Sequence, residues 1–154
     1  MTQFSLDRRG VLIGAMAGAA FGGAAAAQTP RRITVYKTPW CDCCGGWVDH
    51  MRQAGWTAQV IERDDLAPIR ASHGIADRLA SCHTAVVGRY AIEGHVPTAD
   101  VARLLRERPD ARALTVPGMP IGSPGMEGDR REPFSSLLIL ADGSTRVFAR
   151  HNAA

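Results

Sequence analysis

The period of the apolar residues changes several times along the chain, and each change marks an element. Arg32 to Tyr36 (RITVY) is short, β-branched and aromatic, which is the composition of a strand. After Cys44, the apolar residues Trp47, Val48 and Met51 follow at spacings of three, four and seven. That spacing is one face of a helix, and Gly55 stops it. Thr57 to Ile61 (TAQVI) returns to strand character. Asp64 to His73 reads as a second helix, capped by Asp64 or Asp65, with Pro68 tolerated early and Gly74 as terminator. Thr84 to Val87 is a strand, Gly88-Arg89 a tight turn, and Tyr90 to Glu93 the antiparallel partner. Pro97 opens a helix that runs through Arg108 with Val101, Leu104 and Leu105 as its buried stripe. Seven of the twelve residues from Pro117 to Gly128 are Gly or Pro, so this segment is a stiff loop. Leu137 to Leu140 and Thr145 to Phe148, joined at Asp142-Gly143, close the chain as a hairpin.

The residues ahead of the first strand have a different character. Arg8-Arg9 precedes an uncharged, Gly- and Ala-rich run from Val11 to Ala27 that ends in Ala25-Ala26-Ala27. A basic start, a short apolar run and an Ala-x-Ala end describe an export signal over residues 1–27 rather than a membrane span. The paired arginines point to the twin-arginine route, although Asp7 and Val11 depart from its usual pattern. Cleavage near Ala27 leaves residues 28–154 as one domain in the periplasm, with no membrane insertion. Without Asp7, Arg8 and Arg9, the 18 basic and 15 acidic side chains of the whole chain become 16 and 14. So mild a balance excludes a nucleic-acid partner argued from charge.

Cysteine use carries the chemistry. Cys41-Asp42-Cys43-Cys44 places three thiols in four residues at the junction between the first strand and the first helix, and Cys82 opens the third strand. Unpaired N–H groups and the positive end of the helix dipole favour thiolates there, the form that binds soft metals and attacks disulfides. Three adjacent thiolates repel one another, and either a cation or a disulfide relieves them. Cys41–Cys44 would leave Cys43 spare, and a Cys43–Cys44 bridge would need a strained peptide, so a soft cation is the expected solution. Cu(I) suits thiolate and thioether donors, and a thiolate can bridge two ions. Zinc, with Cys82 as fourth sulfur, is the less favoured alternative. Two structural disulfides remain as the bland reading.

The order of elements, with Cys-x-x-Cys at the first strand–helix junction, implies an α/β thioredoxin-like single domain. Its mixed sheet would have flanking helices and a C-terminal β-hairpin. In that arrangement the first and third strands are neighbours, which would bring Cys82 toward the cluster. A thiol–disulfide oxidoreductase using Cys41 and Cys44 is the alternative activity, with Cys43 arguing against it by inviting scrambling.

Other donors are auxiliary candidates. Met119 and Met126 flank the centre of the Gly/Pro loop, where thioethers would suit Cu(I). His83 adjoins Cys82 but faces the other way under strict strand alternation, and His95 precedes a helix. His50 is six residues past Cys44, about 9 Å along a helix axis, too far to share a metal. His73 and His151 read as surface residues and Met51 as core. Trp40 and Trp47 flank the cluster, either shielding it or simply packing.

Four blocks resemble the CopG-type copper-resistance proteins: Tyr36 to Cys44, Ser81 to Ala85, Ile92 to Pro97, and Val116 to Glu127. The resemblance covers essentially the whole chain after the export signal. It implies a periplasmic thioredoxin-like protein with a cysteine-bridged copper cluster, ligated by Cys41, Cys43, Cys44 and Cys82. Copper ions, a periplasmic copper chaperone and an electron donor are the partners it suggests. Sequestration and Cu(I)/Cu(II) interconversion are the two roles it leaves open. Many members have Pro where Asp42 stands here, a change that sets a negative charge beside the sulfurs and removes no ligand.

Overall fold

The computed structural model describes residues 31–152; the expected export signal over residues 1–27 lies outside the described residues, as do residues 28–30 and 153–154. Seven strands form one mixed sheet in the order β2-β1-β3-β4-β5-β6-β7. β1 (Arg31–Lys37), helix α1 (Asp42–Gln53) and β2 (Trp56–Glu62) make the opening unit, with β1 and β2 parallel. Helix α2 (Ala67–Ser72) and one turn of 3₁₀ helix (Asp77–Leu79) lead to the antiparallel pair β3 (His83–Val87) and β4 (Tyr90–Glu93). Helix α3 (Thr98–Glu107), the short strand β5 (Ala113–Thr115), the Gly/Pro loop, and the hairpin β6 (Phe134–Ile139) and β7 (Thr145–His151) complete the chain. This is the expected α/β single domain with a mixed sheet, flanking helices and a C-terminal hairpin. Among the described residues no helix is long and apolar enough to cross a membrane.

Strand alternation sorts the core into two faces. Ile92, Leu114 and Leu138 stand in register across β4, β5 and β6 and meet Trp47, Val48 and Met51 of α1 and Val101 and Leu104 of α3. One residue out of step, Ala91, Ala113 and Ile139 face the other way and are covered by Ile75 and Leu79. The sheet thus carries α1 and α3 on one side and the segment around the 3₁₀ turn on the other.

Three features differ from the sequence expectation. The helix expected over Asp64 to His73 is shorter, because Asp65 Oδ1 accepts from the Ala67 N–H at 2.8 Å and the regular turns begin only at Ala67. Strand β5 was not foreseen: three residues are too few to show a period, and it exists because β4 and β6 pair with both its edges. His151 is not a surface residue. Its Nε2 lies 2.7 Å from Asp100 Oδ2, and its ring stacks on Phe134 at 4.7 Å, tying the end of β7 to α3. Ser136 Oγ donates to the same carboxylate oxygen at 2.6 Å.

His50, on α1, accepts the N–H of Thr98 at 3.2 Å through Nε2. Burial pulls its imidazole below the ordinary 6.5, and the Glu127 carboxylate pulls the other way. As pH falls below about 6.5 the unfolded chain takes the proton first, so the stability that neutral His50 contributes is lost on acidification. Denaturation midpoints between pH 7.5 and pH 5 should therefore fall less steeply in His50→Gln than in the parent protein.

Candidate metal centre

The chain turns sharply out of β1 and presents Cys41 as the N-terminal cap of α1, with no side-chain cap bond. Asp42 follows in the first turn, where a negative charge suits the helix dipole. The pairing of β1 with β3, antiparallel from Lys37↔His83 to Thr34↔Val86, brings the residues just before β3 to this same end of the sheet. The neighbouring first and third strands assumed from sequence are present, and Cys82 lies at the cluster. One ligand atom from each of Cys41, Cys43, Cys44 and Cys82 lies within 4.8 Å of the others.

The state of the sulfurs differs from the expectation. Cys41 and Cys44 are joined by a disulfide, and Cys43 and Cys82 are free. Repulsion among adjacent thiolates is thus relieved by the covalent option that the sequence argument set aside, because one helical turn brings Cys41 and Cys44 to a Cα separation of 5.5 Å. Cys43, on the intervening turn, keeps its Sγ 3.6 Å from Cys41 Sγ and 3.8 Å from Cys82 Sγ. Cys44 is buried, whereas Cys41 is half-buried. The helix end that favours thiolates at the first junction does not extend to Cys82. Burial, reinforced by Cys43, pushes the Cys82 pKa up to about 12.

Two histidines converge on Cys82. His95 Nε2 is 2.9 Å and His83 Nδ1 3.3 Å from Cys82 Sγ, and the three residues form a second group able to hold a metal. The opposite-face expectation for His83 fails because Cys82 precedes β3 and is not bound by its alternation. Both rings are fully buried, and burial holds both imidazoles below their usual pKa, hence neutral. His95 Nδ1 lies 2.8 Å from Pro124 O, so Nδ1 carries the proton and Nε2 offers its lone pair. His83 sits 4.5 Å from the Trp47 ring and edge-on to His95 at 5.1 Å, and its Nε2 has no partner. A buried ring nitrogen left unpaired costs ~1–3 kcal/mol, a cost an apolar residue here would not incur.

The Gly/Pro loop seats on α1. A Cβ at Gly125 (φ +81) would lie 2.5 Å from Trp47 N, 2.9 Å from Gly46 C and 3.0 Å from Cys43 O. Only glycine lets the loop approach so closely, and the approach holds Pro124 O on His95. Trp47 is fully buried, its indole N–H donating to Val96 O at 2.9 Å, so it closes one side of the site. Trp40 is 68% exposed and shields nothing. Met119 is 52% exposed, and Met126 is half-buried where the loop meets α1. A Gly125→Ala variant should lose about 3 kcal/mol or more, combining left-handed strain of ~1–2 kcal/mol with the backbone clash. Gly143→Ala (φ +79, nothing within 4 Å) should lose only the strain. Paired chemical denaturation separates the two terms.

Sequence reasoning missed the residues that hold Cys82 in place. Glu93, fully buried, accepts from Arg70 Nε at 3.0 Å, from Ser81 N at 2.7 Å and from Thr84 Oγ1. The Arg70 guanidinium also donates to Ser81 O. Burial pushes the Glu93 carboxyl above the ordinary carboxylate value, opposed by these donors and by the charge of Arg70. Ser81 Oγ donates to Gly118 O of the loop, and Gly94 (φ +73) leaves room for Ser81. The sequence signal was a glutamate ending the apolar run Tyr90-Ala91-Ile92; that the strand has neighbours on both edges came only with the fold.

A family model described as "Protein of unknown function, DUF411" matches residues 79–126, the stretch from the 3₁₀ turn through the loop. No curated protein matches the chain. Two solved structures, named copper resistance protein CopG, forms 2 and 1, are each 36% identical, with TM-scores of 0.76. The alignment with form 2 covers 80% of this chain and 99% of that one. For form 1 the shares are 81% and 100%. The chain belongs to the CopG-type family. Identity at this level over a whole CopG chain fixes the family and the fold together. The blocks that resembled CopG-type proteins in sequence are those that build the cluster: the first junction, Cys82, His95 and the loop on α1.

Proposed function

We propose that this protein binds copper in copper resistance or homeostasis, holding Cu(I) through Cys41, Cys43, Cys44 and Cys82. The observation that carries the reading is the convergence of four cysteine ligand atoms within 4.8 Å, in a chain related to copper resistance proteins. Four thiolates in so small a volume suit a soft ion, and sulfur bridging allows more than one. The disulfide sets the entry condition: two electrons must open Cys41–Cys44 before all four sulfurs can bind. Export to the periplasm through the signal over residues 1–27, delivery by a copper chaperone and exchange of electrons with a donor complete the proposal. Purified anaerobically with a dithiol and Cu(I), the protein should retain more than one copper per chain. Tight zinc with substoichiometric copper would sink the idea.

A second reading has its own observation. The closed Cys41–Cys44 pair at the start of α1, with Cys44 buried and Cys41 more accessible, is the asymmetry a thiol–disulfide oxidoreductase uses. Against it, Cys43 lies 3.6 Å from Cys41 Sγ and competes for the bond. Turnover of a model disulfide by metal-free protein carrying Cys43→Ser and Cys82→Ser would favour this reading over copper binding.

A further inference from the structure

We propose that Cys82, His83 and His95 form a second donor set, a thiolate–imidazole site for a single copper ion, that works while Cys41 and Cys44 are joined. Cys82 belongs to both sets, so the two alternate: a dithiol that opens the disulfide converts the one-ion site into the four-sulfur cluster. The inference rests on the copper reading and deepens it by naming what the oxidised chain holds.

With Cys41 and Cys44 joined, their sulfurs are no longer thiolate donors. The remaining converging donors are Cys82 Sγ, His95 Nε2 at 2.9 Å and His83 Nδ1 at 3.3 Å, with Cys43 Sγ at 3.8 Å as a further sulfur. Imidazole and thiolate together suit copper. The surroundings are those of a built site. The Pro124 carbonyl takes the Nδ1 proton of His95 and aims its Nε2 at the sulfur, as an outer partner does for a ligating histidine. His83 is fully buried against Trp47 and edge-on to His95, and that packing holds its Nδ1 toward Cys82 Sγ. Binding displaces the Cys82 thiol proton to solvent. Conversion to the cluster transfers two electrons and two protons from the dithiol to the Cys41–Cys44 bond, giving two thiols and leaving the donor as its own disulfide.

Full-length protein with a verified count of two free thiols is titrated anaerobically with Cu(I) alone, before and after dithiol treatment. The disulfide form should take up one ion with nitrogen scatterers in its X-ray absorption fine structure. The reduced form should take up more, with sulfur dominating. A disulfide form that binds no Cu(I), or as much as the reduced form, overturns the proposal and leaves the cluster reading standing. A reduced form that binds none overturns the cluster reading itself. His95→Ala removes a direct ligand and should weaken the disulfide form by at least about 100-fold, the upper end of what loss of an outer partner costs, and the reduced form far less. The conservative His95→Gln, checked for unchanged thermal stability, should behave alike; equal weakening of both forms by Gln overturns the alternation. The double variant Cys41→Ser/Cys44→Ser should bind one ion with or without dithiol, and a larger count would count against the proposal.

Discussion

Cys82→Ser is expected to lower Cu(I) affinity of the reduced protein by at least about 100-fold, more than any other single sulfur-to-oxygen change in the chain. Losing an outer partner alone typically costs 10- to 100-fold, so loss of a direct soft ligand sets that range as a floor. Cys82 is the one sulfur shared by the four-cysteine group and by the group with His83 and His95. It is also the one supplied from outside the first helix junction, so no neighbour in sequence can replace it. Serine is close in size, and its hydroxyl can donate to His95 Nε2 as the thiol does, so stability should change little. Competition against a Cu(I) chelator measures the affinity, and a thermal melt checks the fold. A variant that competes as well as the parent would remove Cys82 from the ligand set.

Glu93→Ala should lower stability by about 3 kcal/mol, or roughly 10 °C in Tm. The carboxylate is fully buried and accepts from Arg70, Ser81 and Thr84. Its loss leaves the Ser81 N–H and the Thr84 hydroxyl unpaired and frees a guanidinium whose side chain is only 19% exposed. That partial exposure keeps the cost at the lower end of what breaking a buried pair entails. The change also releases Ser81, the residue before Cys82, so copper affinity should fall with stability even though Glu93 touches no sulfur. Glu93→Gln keeps an acceptor for Ser81 and should recover part of both losses. Calorimetry and the chelator assay on the same samples test the coupling. An unchanged melting point would mean that Arg70 and Ser81 find other partners.

Much of the fold was legible because its signals are local. The stripe Trp47-Val48-Met51, the β-branched runs in β1 and β3, and the turn at Gly88-Arg89 act within a few residues. The elements that escaped depend on distant partners. β5 is three residues held between β4 and β6, and the His151–Asp100 bond joins residues 51 apart. The four sulfurs were legible as a group from Cys-x-Cys-Cys and the assumed neighbourhood of the first and third strands. His83 was misplaced because alternation was extended one residue beyond the strand. Glu93 was passed over because its three donors come from α2, β3 and Ser81, two residues before β3.

By itself the sequence determined which chemistry is present: three thiols at the start of a helix, a fourth beyond it, and a loop too rich in Gly and Pro to be regular. Spacing and residue type act along the chain, so these survive without a fold. Only the tertiary structure decided how the chemistry is divided. Pairing of β1 with β3 delivered Cys82, the seat of Gly125 on α1 aimed His95 at it, and one helical turn closed Cys41 onto Cys44. Distances between sulfurs and imidazoles are set by packing across the sheet, and no local pattern encodes them.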